Sequence, residues 1–268
     1  DTGSFSQKKH KWTNQYFTNL YSSDPTPEGT LAAPEKFAKN VNSKFHEATP
    51  VFTKDGNTMY FTRNNFNNGT KGKDANKTTL LKIYKATLIE NRWQKATELP
   101  FNSDSYSVAH PMLSPDEKTL YFASDMPGTK GQSDLWKVSI SGDGSFGTPE
   151  NLGTSINTEG RETFPLLTDE NELYFATDGH PGLGGLDIFM ARMNPDGTFQ
   201  NPMNIGAPAN SPKDDFAYLI DTKTRKGFLS SNRDGGQGFD DIYKFLETRK
   251  LICEQELSGL VTDLETGE

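Results

Sequence analysis

The sequence predicts an all-β fold, a β-propeller of five blades with four antiparallel strands each, the first blade incomplete. Three observations predict it. An aromatic pair recurs at near-constant spacing, as Tyr60-Phe61, Tyr121-Phe122 and Tyr174-Phe175, with Phe228-Leu229 in the same place 54 residues later. An Asp-apolar-aromatic triplet keeps the same beat, as Asp134-Leu135-Trp136, Asp187-Ile188-Phe189 and Asp241-Ile242-Tyr243. The composition joins 11% aromatic residues to 24 Gly and 15 Pro, which suits many short strands and many turns rather than helices. Internal repeats of about 50 residues belong to propellers and solenoids.

Each unit reads in chain order. The first strand carries a proline or its equivalent, in Thr49-Pro50-Val51-Phe52, His110-Pro111-Met112-Leu113, Phe164-Pro165-Leu166-Leu167 and Ala217-Tyr218-Leu219-Ile220. A polar turn such as Lys54-Asp55-Gly56-Asn57 or Ser114-Pro115-Asp116-Glu117 leads to the aromatic pair, so the first two strands form a hairpin. The third strand holds the triplet, with Lys82-Ile83-Tyr84 filling that slot in the earliest full unit. The fourth strand is marked by apolar residues six apart: Trp93 and Leu99, Phe146 and Leu152, Phe199 and Ile205. Tyr21, Leu31 and Phe37 repeat the spacing of Trp136, Phe146 and Leu152, so residues 11–40 read as the outer half of a blade, half blade I. Blades II to V then span 45–101, 107–153, 160–206 and 213–246, all within a propeller domain of 1–250. Residues 251–268 alternate and turn, as the first strand of another β-domain does. Strands this short bury both faces only when blades stack around a ring.

Charge and cysteine content narrow the function classes. A formal net charge of −8 argues against general nucleic-acid or anionic-membrane binding. Cys253 is alone, so no intrachain disulfide framework exists. No G-x-S-x-G, P-loop or H-E-x-x-H motif occurs, so no catalytic residues and no cofactor are assigned.

Two constellations remain. Between the second and third strands lies a Gly-rich loop bounded by Asp125 and Asp134, Asp178 and Asp187, and Asn232 and Asp241. Such residues accept backbone N–H bonds and brace loops, and a calcium loop is the alternative. Recurrence in every blade favours structural braces. Three residues ahead of the proline slot stand Glu47, Val108, Glu162 and Asp215. These three acids and His110 are the candidate binding residues at the rim of a central channel. If the propeller instead cleaved glycans, Glu47, Glu162 and Asp215 would be the carboxylates to nominate. His46, His110 and His180 lack ligand spacing, so no metal site is assigned.

The run His110-Pro111-x-Leu113-Ser114-Pro115-Asp116 through Leu120-Tyr121-Phe122-Ala123-Ser124-Asp125 resembles the WD40-like PD40 repeat of TolB-type propellers. Glu162-Thr163-Phe164-Pro165 through Tyr174-Phe175-Ala176-Thr177-Asp178 to Asp187-Ile188-Phe189 repeats the resemblance. The Gly-rich loop ending in Asp-Ile-aromatic, and the leader Lys11-Trp12-Thr13-Asn14-Gln15, are similar to PD40 propellers of Bacteroidota OmpA-family envelope proteins, among them PorE-like components of type IX secretion. Ser258-Gly259-Leu260-Val261-Thr262-Asp263 resembles the start of a carboxypeptidase-regulatory-like domain. The resemblance implies a non-catalytic scaffold in the periplasm, associated with the outer membrane. Its implied partners are other envelope or secretion proteins, with peptidoglycan reached only through a domain outside this sequence.

Overall fold

A computed structural model describes residues 17–27, 30–67 and 69–251. The 11–15 leader, Cys253 and the rest of residues 252–268 lie outside them. All described secondary structure is strand. Blade III pairs Val108–Leu113, Thr119–Ser124, Asp134–Ser139 and Glu150–Asn151 in that order, each antiparallel to the next. Blade IV repeats the order with Glu162–Leu167, Glu172–Thr177, Asp187–Arg192 and Met203–Asn204. Blade II has Glu47–Phe52, Thr58–Asn64 and Leu81–Ile89, with Arg92–Trp93 and Thr97–Glu98 both pairing to its third strand. Among the described residues blade V has three strands, Asp215–Ile220, Lys226–Ser231 and Asp241–Leu246.

The sequence expects four recognisable blades and the outer half of a fifth. Among the described residues there are four blades, and half blade I is a two-stranded ribbon, Tyr21–Ser22 against Glu35–Lys36. It keeps the register of a third and fourth strand and packs against blade II. The fifth blade thus exists here only as its outer pair.

The hydrophobic core lies between blades, as the paired faces of short sheets require. Ile83, Leu120, Phe122 and Val138 join blades II and III, while Leu135, Leu173, Phe175 and Phe189 join III and IV. Leu166, Tyr174, Ile188 and Leu229 join IV and V, and Leu20, Val41, Phe61 and Tyr84 seat half blade I on II. On the far face of blade V, Leu219 is 53% exposed and Ile242 is 73% exposed.

Every inner strand carries the same bulge. Register shifts between Ala48 and Val51, Ala109 and Met112, Thr163 and Leu166, and Phe216 and Leu219. In each bulge the residue at or before the proline slot takes a left-handed backbone: Thr49 (φ 47°), His110 (55°), Phe164 (50°) and Ala217 (51°). Such a conformation is unfavourable for non-Gly residues, and bulges re-aim side chains. Four of them around one axis turn these positions together toward the centre.

Candidate functional site

The four inner strands enclose a cavity of about 370 Å³ on the propeller axis. Pro50, Pro111, Pro165, Leu166 and Leu219 give it an apolar wall, with His110 and Phe164 facing it as well. His110 stacks on Phe164 with ring centroids 3.7 Å apart, and Phe164 meets Phe216 at 5.0 Å. The His110 N–H of the backbone donates to Thr62 Oγ1 (2.8 Å), which in turn lies 2.8 Å from Thr49 Oγ1. His110 Nδ1 shares a 2.5 Å hydrogen bond with the Thr163 hydroxyl. Burial pushes the imidazole pKa down to about 3, so the ring is neutral at physiological pH. The channel is therefore uncharged and mostly apolar, and His110 is the one nominated rim residue that faces it.

The acids expected at the rim are elsewhere. Glu47, Glu162 and Asp215 are 0–1% exposed, inside the wall. Each carboxylate accepts the backbone N–H four residues earlier, from Ser43 (2.9 Å), Thr158 (2.9 Å) and Ser211 (2.6 Å). Each then finds a further partner: Arg63 Nε for Glu47 (3.0 Å), the Thr177 hydroxyl for Glu162 (2.8 Å), and Arg233 for Asp215 (2.5 Å). Burial raises the Glu47 pKa even though Ser43 and Arg63 both pull it down. The three close the linkers that enter blades II, IV and V. Sequence spacing exposes three acids in step, but not the local N–H that consumes each one.

The Gly-rich loops are closed as braces of two kinds. Asp134 accepts the N–H groups of Lys130 (2.9 Å) and Gly131 (3.3 Å), and Asp187 those of Leu183 (2.8 Å) and Gly184 (3.0 Å). Asp241 takes those of Gln237 and Gly238. Asp125, Asp178 and Asn232 instead accept N–H bonds from Ser107, Arg161 and Asp214, tying the end of the second strand to the start of the first. So the two ends of each loop serve different closures. Among the described residues no group of three His, Cys, Asp or Glu is placed to hold a metal ion. His46 Nδ1 accepts the Thr18 N–H (3.2 Å), and His180 Nε2–H donates to the Ile156 carbonyl (3.1 Å).

The loops also join blade to blade. The blade III loop rests on the linker into blade IV, where Gln132 N–H donates to the Gly160 carbonyl (2.8 Å) and Glu162 N–H to the Ser133 carbonyl (2.8 Å). A Cβ on Gly131 would stand 2.4 Å from the Gly160 oxygen. Gly131→Ala is therefore expected to destabilise the fold by about 1–3 kcal/mol, because backbone has to shift. Urea unfolding followed by tryptophan fluorescence checks it, and an unchanged midpoint would remove the inter-blade role of this loop.

One recurring group escaped the sequence reading. Asn42, Asn102, Asn157 and Asn210 each clasp one residue of a third strand, accepting its N–H and donating to its C=O. Their targets are Leu20 (2.7 and 3.4 Å), Ile83 (3.0 and 2.7 Å), Leu135 (2.8 and 3.0 Å) and Ile188 (2.8 and 2.8 Å). A carboxamide is the side-chain group that offers one acceptor and one donor at the spacing of a peptide unit. The signal was present as asparagines spaced 60, 55 and 53 (102−42, 157−102, 210−157).

No protein-family model matches the chain, and no curated protein matches it in sequence. Among solved structures it is similar to an α-L-arabinofuranosidase from Lactobacillus brevis, at 14% identity and a TM-score of 0.51, covering 80% of this chain and 78% of that one. It is also similar to TolB from Acinetobacter baumannii, at 13% identity and a TM-score of 0.48, covering 84% of this chain but spanning 45% of the TolB chain. A periplasmic gluconolactonase from Pseudomonas aeruginosa is similar at 14% identity and a TM-score of 0.44, covering 86% of this chain and 64% of that one. At such identities a likeness speaks to fold and not to activity. The sheet order and the bulged inner strands make this chain a β-propeller.

Proposed function

We propose that this propeller is a non-catalytic protein-interaction scaffold of the bacterial cell envelope. It acts in the periplasm in association with the outer membrane, as a member of the type IX secretion apparatus, and reaches peptidoglycan through a domain outside residues 1–268. The observation that carries the reading is the chemistry of the axis. An uncharged apolar channel, with every nominated carboxylate buried inside the wall, suits burial of a partner's apolar segment better than acid–base chemistry. The PD40-like repeat supports the envelope setting.

Cross-linking of the full-length protein in its own cells, followed by envelope fractionation, tests the proposal. Recovery with envelope or secretion proteins is expected, and recovery as a free cytosolic monomer would sink it. Leu219→Arg at the channel mouth should cut partner recovery at least tenfold with the fold intact, because a charge on an apolar docking face is costly to desolvate. A glycan-cleaving activity in the wild type that Glu162→Gln abolishes, at unchanged thermal midpoint, would replace the scaffold by the hydrolase alternative.

A further inference from the structure

The loop between the second and third strands is longest in blade II. Measured from the second-strand tyrosine or its equivalent to the start of the third strand, it is nine residues longer than in the other blades (82−60 against 134−121, 187−174 and 241−228). The added length pairs with itself, Phe66–Asn67 against Thr70–Lys71. Polar side chains of blade II hold this small hairpin in place. Asn65 Nδ2 donates to Asp104 (2.7 Å), Asn67 Nδ2 to Glu98 (3.2 Å), and the Tyr84 hydroxyl to the Phe66 carbonyl (3.4 Å). Glu98 and Asp104 are in turn tied to the buried Lys82 ammonium. A Cβ on Gly72 would stand 2.1 Å from the Asn65 amide nitrogen, so the base of the hairpin is closely packed. A long loop on a rigid base is the usual seat of a binding function.

The hairpin carries an aromatic pair beneath two ammonium groups. Phe66 meets Phe45, from the linker into blade II, with ring centroids 4.8 Å apart. Lys44 Nζ lies 5.3 Å from the Phe66 ring and 5.8 Å from the Phe45 ring, and Lys71 Nζ lies 5.3 Å from Phe45. Both lysines are exposed, and neither meets a carboxylate among the described residues. The positive charge is local to this sector. Segments 38–46 and 64–81 hold Lys39, Lys44, Lys71, Lys73 and Lys77 against Asp74, a net of +4 (5−1) in a chain of −8. The matching loops 125–133, 178–186 and 232–240 carry 0, −1 and −1. Residues 1–16 bring Lys8, Lys9 and Lys11 against Asp1, so the preceding sequence adds more base than acid. In the blade V sector of the same end, burial and the Asp214 and Asp241 carboxylates raise the Asp240 pKa, a field that repels anions.

We propose that the blade II hairpin is a docking site for an acidic segment of a partner protein. Carboxylates of the segment pair with Lys44 and Lys71, and its apolar side chains rest on the half-buried Phe45 and Phe66 rings. Each ammonium is already held over a ring, so docking freezes little further side-chain freedom. The basic sector draws the segment in and the blade V sector turns it away, which fixes its orientation on this end of the propeller. The site lies at the loop end, whereas Leu219 lies beside the hairpin turn at the other, so the inference does not rest on the channel.

Titration of the full chain with a labelled peptide of Glu-Glu-Tyr repeats, followed by fluorescence anisotropy, tests it. Saturable binding is expected, and its absence overturns the proposal. Lys44→Gln with Lys71→Gln should weaken binding about tenfold at an unchanged thermal midpoint, while Lys54→Gln with Lys118→Gln, at the opposite end, should change it by less than about twofold. Equal losses in the two pairs would mean attraction to net charge alone and overturn the proposal. Heparin or phosphatidylglycerol vesicles that bind more tightly than the peptide, and lose that binding in the Lys44 and Lys71 variant, would assign the patch to a sulfated glycan or a lipid surface and overturn it too. The channel is read separately, through Leu219→Arg and partner recovery, so either reading can fail alone.

Discussion

Asn157→Ala should lower the unfolding free energy by about 2 kcal/mol, because it strands the buried Leu135 N–H and leaves the Leu135 C=O with the Leu152 N–H alone. Asn157 is 1% exposed, and its carboxamide holds both polar groups of Leu135 and also donates to Asn151 Oδ1 (2.9 Å). Leu135 lies in the core between blades III and IV, where no water replaces the lost partner. Asn157→Asp should cost at least as much, since it keeps the acceptor and faces the Leu135 carbonyl with a carboxylate. Asn42→Ala should cost less, because its donor bond is longer at 3.4 Å and the site is half-buried. Urea denaturation of the three variants beside the wild type measures the order. A loss below about 1 kcal/mol for Asn157→Ala would mean that strand pairing alone holds this edge.

Mild acid should destabilise the propeller through His110. Its folded-state pKa, near 3, lies below the ordinary 6.5, so the folded protein resists a proton that the unfolded chain accepts. The stability contributed by the neutral ring is complete above pH 6.5 and is lost as pH falls from 6.5 toward 3. Between pH 6.5 and 5 the loss is about 1–2 kcal/mol, allowing for the ring's partial exposure. His110→Gln retains a hydrogen-bonding partner for Thr163 and does not titrate. Its thermal midpoint should fall less than that of the wild type between pH 7 and 5. Parallel pH profiles would show that the ring protonates freely inside the channel.

The fold was legible because its units repeat. Tyr121-Phe122 and Tyr174-Phe175 are second-strand residues in register with Trp136 and Phe189, as their spacing implied. The half unit was legible too: the spacing of Tyr21, Leu31 and Phe37 marked an outer strand pair, and Tyr21–Ser22 pairs with Glu35–Lys36. The site was legible in part. His110 reaches the channel because a bulge turns it there, and no periodicity announces a left-handed residue in a strand. Glu162 looked like a rim acid because sequence shows the residue type, and its burial depends on Thr158 and Thr177, which are brought to it only by the hairpin and its linker. The asparagine clasps were missed because asparagine is common in turns, and four of them raise no alarm until their partners are seen.

Blade II departs from its siblings at one point. Lys82 occupies the slot of Asp134 and Asp187, and it pairs with Glu98 (3.0 Å) and Asp104 (2.7 Å). Glu98 in turn occupies the fourth-strand slot of Asn151, which donates to Asp134 (2.7 Å) in blade III. A chain of near-identical hairpins can fold with its strands matched to the wrong neighbour. If the fourth strand of blade II paired with the third strand of blade III, Glu98 would meet Asp134, and two carboxylates would share one buried pocket. The converse error would put the Asn151 amide before the Lys82 ammonium in place of the Glu98 carboxylate. The swapped pair thus works as an address label, penalising a shifted assembly and fixing which outer strand belongs to which blade.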